Sequence, residues 1–539
     1  MDLEQARKQI NDIDKQIIEL FEKRMHAVAD IATFKHHNNM SIFQPDRETE
    51  IINANLQLLD DVHLKPYAQK MLTYLMEISK SYQSHILNLE NDIKKLPVKK
   101  YGLLGEKLAH SLSPRIHDLF FGITGIKASY VLNQVPKNRI NSIVESIKAL
   151  DMDGVNVTIP YKENVIPQLD KISEEAQKIG AVNTIKIVDD KAFGYNTDYF
   201  GIGQMLSYGN IPVEDNDFYI LGSGGSAKSV ICYLIDNNAA EIVLVTRNKE
   251  KALKQFANLN SDIIIIDYNE FEDVRESYCV INTTPVGMFP NIDDSPIDED
   301  KIKCFGCAVD LIYNPIETKF LYFARTNGLK TVNGLYMLVA QAIKAQEIWQ
   351  ERIYPSQIIT FIYKQIENLL QVQRQSFYLI GFMGSGKTTI GRLLAELLEM
   401  PFLDIDEYIE MKTQKTISEI FETDGEQHFR TLELEALEQT DDIPRIFATG
   451  GGILTYQPSR EYLEDKNCIY LKNDIEILYD RIKDDSNRPL VDSIEKLTER
   501  LQEREEAYEK VSSLTIDTKD LSVFDISKQI MKQITKLIP

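Results

Sequence analysis

The chain has 539 residues, enough at roughly 150 per domain for three or four separate cores. Hydrophobic residues at 43% and charged residues at 26% are ordinary globular proportions and exclude a disordered or collagen-like chain. The formal net charge of -22 repels nucleic acid and anionic membrane surfaces, so an anionic substrate has to be held by local basic pockets.

The aliphatic runs, such as Ile263 to Ile266, fall far below the roughly 18 apolar residues that span a bilayer. The opening MDLEQARKQI carries acids and lacks a basic segment followed by an apolar one, so it does not read as a targeting peptide, and a cytoplasmic protein is expected. Five cysteines, an odd number, do not make a disulfide framework. Cys304 and Cys307 form a CxxC without a second ligand pair at zinc-site spacing, and they read as packing residues.

Residues 1–90 contain no glycine, and Pro45 and Pro66 separate three runs with helical spacing. An all-helical module is expected there. In the first run Leu3, Arg7, Ile10, Ile13, Ile17, Leu20, Arg24, Val28, Ile31 and Lys35 advance by threes and fours along one face. A single cation on such a seam is ordinarily paired within a bundle. Three call for a shared anionic partner, because unpaired buried charge is strongly unfavourable. Ser79 and Gln83 lie in register with Leu72, Leu75, Met76 and Ile86 in the third run and add inward-facing polar groups.

Arg7, Arg24, Lys35, Arg47, Glu48, Ser79 and Gln83 together resemble the helical class of chorismate mutase. The resemblance implies a three-helix protomer interlocked as a homodimer. Arg7 of the partner and Arg24 would grip the carboxylates of chorismate, with Arg47 and Ser79 also at the substrate. Lys35 and Gln83 would donate to the ether oxygen as prephenate forms, and Glu48 would hold the ring hydroxyl. Preorganised charge suffices for such a rearrangement. Gln44 stands where the family often has Asp.

After residue 98 the texture changes to short β-branched runs alternating with amphipathic stretches, the pattern of α/β units. A domain is expected over 99–365, with a substrate part at about 99–200 plus 335–365 and a coenzyme part at about 201–334. SLSP (111–114) opens a helix, NVTIPYK (156–162) follows a strand, GAVNT (180–184) begins one, and NTD (196–198) closes the set. Each alone suits a turn or a cap. Together they supply hydroxyls and amides for a polyhydroxylated ring, with Lys162 and Asp198 for proton transfer. GSGGS (222–226) links a strand to a helix, the geometry that seats a pyrophosphate. The next strand ends at Thr246 and Arg247 instead of an acid, which with Lys251 favours the 2′-phosphate of NADP.

With NGLYMLVAQA (333–342), these runs resemble shikimate dehydrogenase. The resemblance places Ser111, Ser113, Thr158, Asn183 and Gln341 on the substrate, with Asn156 and Tyr313 nearby. It makes Lys162 and Asp198 the catalytic pair for reduction of 3-dehydroshikimate by NADPH. Gly222, Ser223, Gly224, Gly225, Ser226, Arg247, Lys251 and Gly334 would serve the coenzyme. Asn333 and Tyr336 replace residues that are often Asp and Gly in the family.

The polar segment QVQRQS (371–376) precedes a third domain, expected over 375–539 and the most acidic of the three. GFMGSGKT (381–388) between a strand and a helix is a complete P-loop. Backbone N–H groups from Gly384 to Lys387 would cradle phosphate and Thr388 would ligate Mg²⁺. A P-loop alone leaves NTPase, GTPase and small-molecule kinase open. Asp404, Asp406, Arg430, the triple glycine around Gly451, Arg488 and Arg504 resemble shikimate kinase. By that resemblance Asp404 positions Mg²⁺ and Asp406 orients the 3-hydroxyl of shikimate. Arg430 and Arg504 bind its carboxylate beside Gly451, while Lys387 and Arg488 meet the transferring phosphoryl group. Ser385, Gly386 and Thr389 complete the ATP site.

The sequence thus reads as a trifunctional enzyme of aromatic amino-acid biosynthesis using NADP(H), ATP and Mg²⁺. Two rivals stand beside it: a helical module that only binds or dimerises, and a P-loop domain that regulates the dehydrogenase.

Overall fold

A computed structural model describes residues 3–37, 51, 54–59, 64–65, 68, 71–72, 75–76, 78–79, 98–108, 111–257, 259, 263–273, 276–483 and 493–535, without the side chains at 3–12, 33 and 35–37. Two compact units result, Met1–Lys99 and Lys100–Pro539.

In the first unit helix Leu3–His37 runs for 35 residues. Of its expected apolar face Val28 is buried, while Ile13, Ile17, Leu20 and Ile31 are exposed. The expected buried stripe is therefore mostly uncovered within one copy of the chain. Period-3.6 spacing shows which face is apolar, and among the described residues little of it is covered.

Three sheets organise the second unit. The first is built from β1 (Lys99–Gly105), β2 (Ala128–Gln134), β3 (Gly154–Val157), β4 (Lys171–Ile172), β5 (Thr184–Val188) and β6 (Lys191–Tyr195), in the order β2-β1-β3-β5-β6-β4. β1 and β3 are parallel, and β5 runs antiparallel to both β3 and β6. The C-terminal ends of β1, β3 and β6 therefore share one edge with the N-terminal end of β5. Ser111 and Ser113 follow β1, Thr158 and Lys162 follow β3, Asp198 follows β6, and Asn183 precedes β5. Helices Ser113–Thr124, Leu335–Gln350 and Gln357–Val372 pack on this sheet through Phe120, Val339, Ile343 and Ile362.

The second sheet is parallel throughout, with β7 (Asp217–Leu221), β8 (Glu241–Val245), β9 (Ile263–Ile266), β10 (Ser277–Asn282), β11 (Phe305–Asp310) and β12 (Lys330–Val332) in the order β12-β11-β10-β7-β8-β9. Its order reverses at β7, and GSGGS leaves that strand, the usual place for a ligand crevice in such sheets. Cys307 lies in register with Cys279 of the neighbouring strand and is buried, whereas Cys304 is only partly buried.

The third sheet, also parallel, comprises β13 (Phe377–Ile380), β14 (Phe402–Asp404), β15 (Ile446–Ala448), β16 (Asn467–Lys472) and β17 (Leu514–Asp517) in the order β14-β15-β13-β16-β17. The P-loop leaves β13, again where the order reverses. The polar segment at 371–376 is not an extended tether. Val372 ends a helix and is buried with Phe377 and Leu379, and Gln373 Nε2 donates to the Leu398 carbonyl at 2.8 Å. One apolar residue in that polar run is enough to draw it into the core.

Candidate functional sites

In the helical unit Arg24 is partly buried and reaches across to the segment at 75–79. Its Nη1 donates to the Leu75 carbonyl at 3.3 Å and to Ser79 Oγ, and its Nη2 approaches Met76 Sδ at 3.7 Å. Burial lowers the guanidinium's pKa from its ordinary value. Ser79 is buried and itself donates to the Leu75 carbonyl. Arg24 and Ser79 are thus brought together. The Arg7 and Lys35 side chains, Gln44, Arg47, Glu48 and Gln83 lie outside the described residues.

At the edge of the first sheet Lys162 Nζ donates to Asp198 Oδ2 at 2.6 Å. The other carboxylate oxygen accepts from Asn183 Nδ2 at 2.8 Å. Asn183 Oδ1 in turn takes the Thr197 N–H at 2.7 Å and the Thr184 hydroxyl at 3.0 Å. Asn156 Nδ2 reaches Thr184 Oγ1 at 3.0 Å, and Thr197 Oγ1 reaches Gln341 Oε1 at 3.3 Å. Asn156, Asn183, Thr184, Thr197 and Asp198 are all buried, so the network is fixed at this edge of the sheet. Ser111 Oγ accepts the Ser113 N–H at 3.3 Å, and Ser113 is buried at the start of its helix. Thr158 holds the turn into Lys162 through its carbonyl, which accepts the Tyr161 N–H at 3.0 Å. Tyr313 is partly buried in the loop after β11, and burial raises its phenol pKa.

That loop is organised by Asp310, which sequence reading did not single out. Its carboxylate accepts from Asn282 Nδ2 (3.0 Å), the Ile312 N–H (3.0 Å) and the Thr318 hydroxyl (2.7 Å). Burial pushes its pKa up to about 7. The Gly334 N–H donates to the Ile312 carbonyl at 3.0 Å, seating Gly334 against the same loop. Asn333 Oδ1 accepts the Leu335 N–H at 3.1 Å, tying down the start of helix Leu335–Gln350. Tyr336 is buried and stacks on Tyr208 with ring centroids 4.1 Å apart. Both departures from the family pattern therefore serve local packing.

In the second sheet Gly222 has φ +99°, and a Cβ there would stand 2.6 Å from Thr284 Cγ2, so no other residue fits without rearrangement. Beyond it, a Cβ on Gly224 or Gly225 would meet nothing within 4 Å, leaving open space over the N-terminus of helix Gly225–Asp236. Ser223 and Thr246 hydroxyls are 3.0 Å apart. Ser226 is partly buried in the first turn of the helix, and Arg247 and Lys251 are exposed. An open glycine turn flanked by two exposed cations suits a phosphorylated dinucleotide.

The third sheet carries a cleft of about 770 Å³ lined by Gly384, Ser385, Gly386, Lys387, Thr388 and Thr389 on one side. Asp404, Asp406, Arg430, Gly451 and Arg504 face the same cleft. Thr388 Oγ1 donates to Asp404 Oδ2 at 2.7 Å, a partial oxygen set that suits Mg²⁺ completed by phosphate and water. Lys387 Nζ is folded onto the Gly381 and Phe382 carbonyls at 2.8 and 3.0 Å. Arg504 Nη1 donates to the Gly451 carbonyl at 3.1 Å. Arg488 lies outside the described residues.

Sequence reading missed Glu433, whose Oε2 accepts from Arg430 Nη1 at 2.7 Å. Burial pushes the Glu433 carboxyl up to about 7, opposed by the charge of Arg430 and helped by that of Asp406. Its position one turn from Phe429 and Arg430, within the buried stripe Phe429, Glu433, Ala436 and Leu437, was an available signal.

Three family models match in order along the chain: chorismate mutase type II at 6–84, the shikimate dehydrogenase substrate binding domain at 103–185, and shikimate kinase at 383–538. The chain is 54% identical over 252 residues to the shikimate dehydrogenase (NADP(+)) of Clostridium perfringens, covering 47% of this chain and 92% of that protein. The corresponding protein of Clostridium beijerinckii is 47% identical over 268 residues, covering 50% of this chain and 98% of that one. The crystal structure of a chorismate mutase/shikimate 5-dehydrogenase fusion protein from Clostridium acetobutylicum matches with 44% identity and a TM-score of 0.49, covering 51% of this chain and all of that one (100%). The chain belongs to the shikimate dehydrogenase family and carries a chorismate mutase domain before that segment and a shikimate kinase domain after it.

Proposed function

We propose that this chain carries three activities: chorismate to prephenate, 3-dehydroshikimate and NADPH to shikimate, and shikimate and ATP to shikimate 3-phosphate. The domains occupy about 1–90, 99–365 and 375–539. The observation that carries the reading is the Lys162–Asp198 pair, 2.6 Å apart and set among buried amides and hydroxyls, in the same chain as a P-loop cleft that holds Arg430 and Arg504.

In the dehydrogenase, Ser111 and Ser113 take the substrate carboxylate, and Thr158, Asn156, Asn183 and Gln341 take its hydroxyls. Lys162 Nζ hands a proton to the substrate's keto oxygen while Asp198 holds the ammonium in place. Bound NADPH supplies the hydride. Gly222 to Ser226 seat its pyrophosphate, and Arg247 with Lys251 takes the 2′-phosphate.

In the kinase, Arg430 and Arg504 clamp the shikimate carboxylate beside Gly451, and Asp406 takes the proton of the 3-hydroxyl. Thr388 and Asp404 hold Mg²⁺, which neutralises phosphate charge. Lys387 turns from its carbonyls to the phosphates, and Arg488 joins it at the transferring group.

In the mutase, Arg24 and Ser79 form one side of the pocket, with Lys35 and Gln83 at the ether oxygen and Arg7 contributed by a second copy. The exposed Ile13, Ile17 and Leu20 support a homodimer through this helix, since a second copy would cover them. A cytoplasmic location fits these substrates, and no helix among the described residues is long and apolar enough to cross a membrane.

Single variants test the assignment. Lys162→Ala, Asp406→Ala and Lys35→Ala should each abolish one activity and spare the other two. Loss of all three in one variant, or of none, refutes separate sites.

A further inference from the structure

Two buried aromatic residues of the dehydrogenase domain have no role in the reaction as described. Tyr130 is on β2 and His117 is on helix Ser113–Thr124, and both are buried. Their rings stack with centroids 4.0 Å apart and planes 18° apart. Such a stack could be packing alone, and then Phe would serve at 130 as well as Tyr. The hydroxyl argues otherwise, because a buried phenol is unfavourable unless it is bonded.

Tyr130 Oη donates to Asn156 Oδ1 at 2.8 Å. Asn156 is one of the groups that we have placed on the substrate. Asn156 then passes the order on through Thr184 and Asn183 to Asp198 and Lys162. From below, His117 Nδ1 pairs with Gln346 Nε2 at 2.9 Å. The amide nitrogen is a donor there, so Nδ1 accepts and the proton sits on Nε2, which has no hydrogen-bond partner among the described residues. Burial pushes the His117 pKa down to about 3, so the imidazole stays neutral at any pH at which the enzyme would be assayed.

We propose that Tyr130, seated on His117, is a positioning residue of the dehydrogenase. Its hydroxyl locks the Asn156 amide in one arrangement, so the amide reaches the substrate already oriented. The inference rests on the dehydrogenase reading above. Without the hydroxyl, Asn156 Oδ1 loses its donor and the amide is free to turn away.

The test is steady-state oxidation of shikimate by NADP⁺ with the full-length chain and its Tyr130→Phe variant. The KM for shikimate should rise about tenfold or more while the KM for NADP⁺ and the kinase activity of the same sample stay put. In an Asn156→Ala background Tyr130→Phe should add much less than it does alone, since both changes remove one linked arrangement. An unchanged KM for shikimate, with or without a lower melting temperature, makes Tyr130 a packing residue and overturns the proposal. Fully additive effects overturn it too. If Tyr130→Phe does not accumulate as folded protein, His117→Asn reads the same quantity. A raised KM for shikimate supports the proposal and an unchanged one refutes it. Wild-type chain that fails to oxidise shikimate removes the dehydrogenase reading itself, a result distinct from either.

Discussion

Replacing Gly452 with alanine should damage the kinase at one named contact. A Cβ at that position would lie 2.3 Å from Arg430 Nη2, 2.7 Å from Cζ and 2.8 Å from Nη1, closer than real atoms approach. The guanidinium has little freedom to yield, being buried and held by Glu433 at 2.7 Å and Glu426 at 2.8 Å. It has to leave the position from which it would grip the substrate carboxylate. A charge-assisted hydrogen bond of this kind contributes about 1.5–3 kcal/mol, which corresponds to roughly 10- to 150-fold in binding. The assay is kinase turnover with shikimate varied at saturating ATP, on full-length protein, with shikimate oxidation in the same sample as the internal control. The KM for shikimate should rise by that factor, with the KM for ATP and the dehydrogenase kcat/KM unchanged. A KM for shikimate within twofold of wild type refutes the placement of Arg430, and an equal rise in the KM for ATP refutes a specific effect.

Other expectations follow from the same geometry. Lys162→Ala should lower dehydrogenase kcat by about 10²- to 10⁴-fold, the range for loss of a positioned proton donor, with kinase activity intact; a drop below tenfold places the donor elsewhere. Arg24→Ala should remove prephenate formation and spare both other reactions, whereas retained mutase activity rules out its carboxylate role. Asp310 should make stability depend on pH. Burial raises its pKa from 3.8 to about 7, so the native state keeps a proton that the unfolded chain releases between those values. That stabilisation is whole below pH 3.8 and fades as pH rises through 7, by up to about 4 kcal/mol. Urea unfolding of wild type and Asp310→Asn across that range should show a stability difference that changes with pH, and a constant difference contradicts the reasoning.

The parts of the sites that were legible in the sequence share a physical property: their groups lie within a few residues of one strand end. The P-loop, NVTIPYK and GSGGS each combine a strand, a turn and a functional side chain in one short run, so spacing alone implies geometry. Arg24 and Ser79 were legible for a different reason. Helical periodicity puts each on an inward face toward a shared anionic ligand, and the structure brings the two together directly, with Arg24 donating to Ser79. The Tyr130, His117 and Gln346 group was not legible, because it takes a strand, a helix near the start of the domain and another near its end to bring them together. Each alone reads as an ordinary core or surface residue. Cys304 and Cys307 read as packing residues, and Cys307 is buried in register with Cys279 across two strands that are adjacent in the sheet but distant in the chain. The exposed apolar stripe of helix Leu3–His37 marks the opposite limit: the sequence identifies the face, and one copy of the chain leaves it uncovered.

The central claim is that one chain makes shikimate, phosphorylates it and rearranges chorismate. The most direct measurement gives purified full-length protein 3-dehydroshikimate, NADPH, ATP and Mg²⁺, with a parallel sample given chorismate, and follows all products by mass spectrometry. The account predicts NADPH loss, accumulation of shikimate 3-phosphate and, in the parallel sample, prephenate. NADPH loss that stops at shikimate, ATP turnover that does not depend on shikimate, or chorismate left unchanged would contradict it.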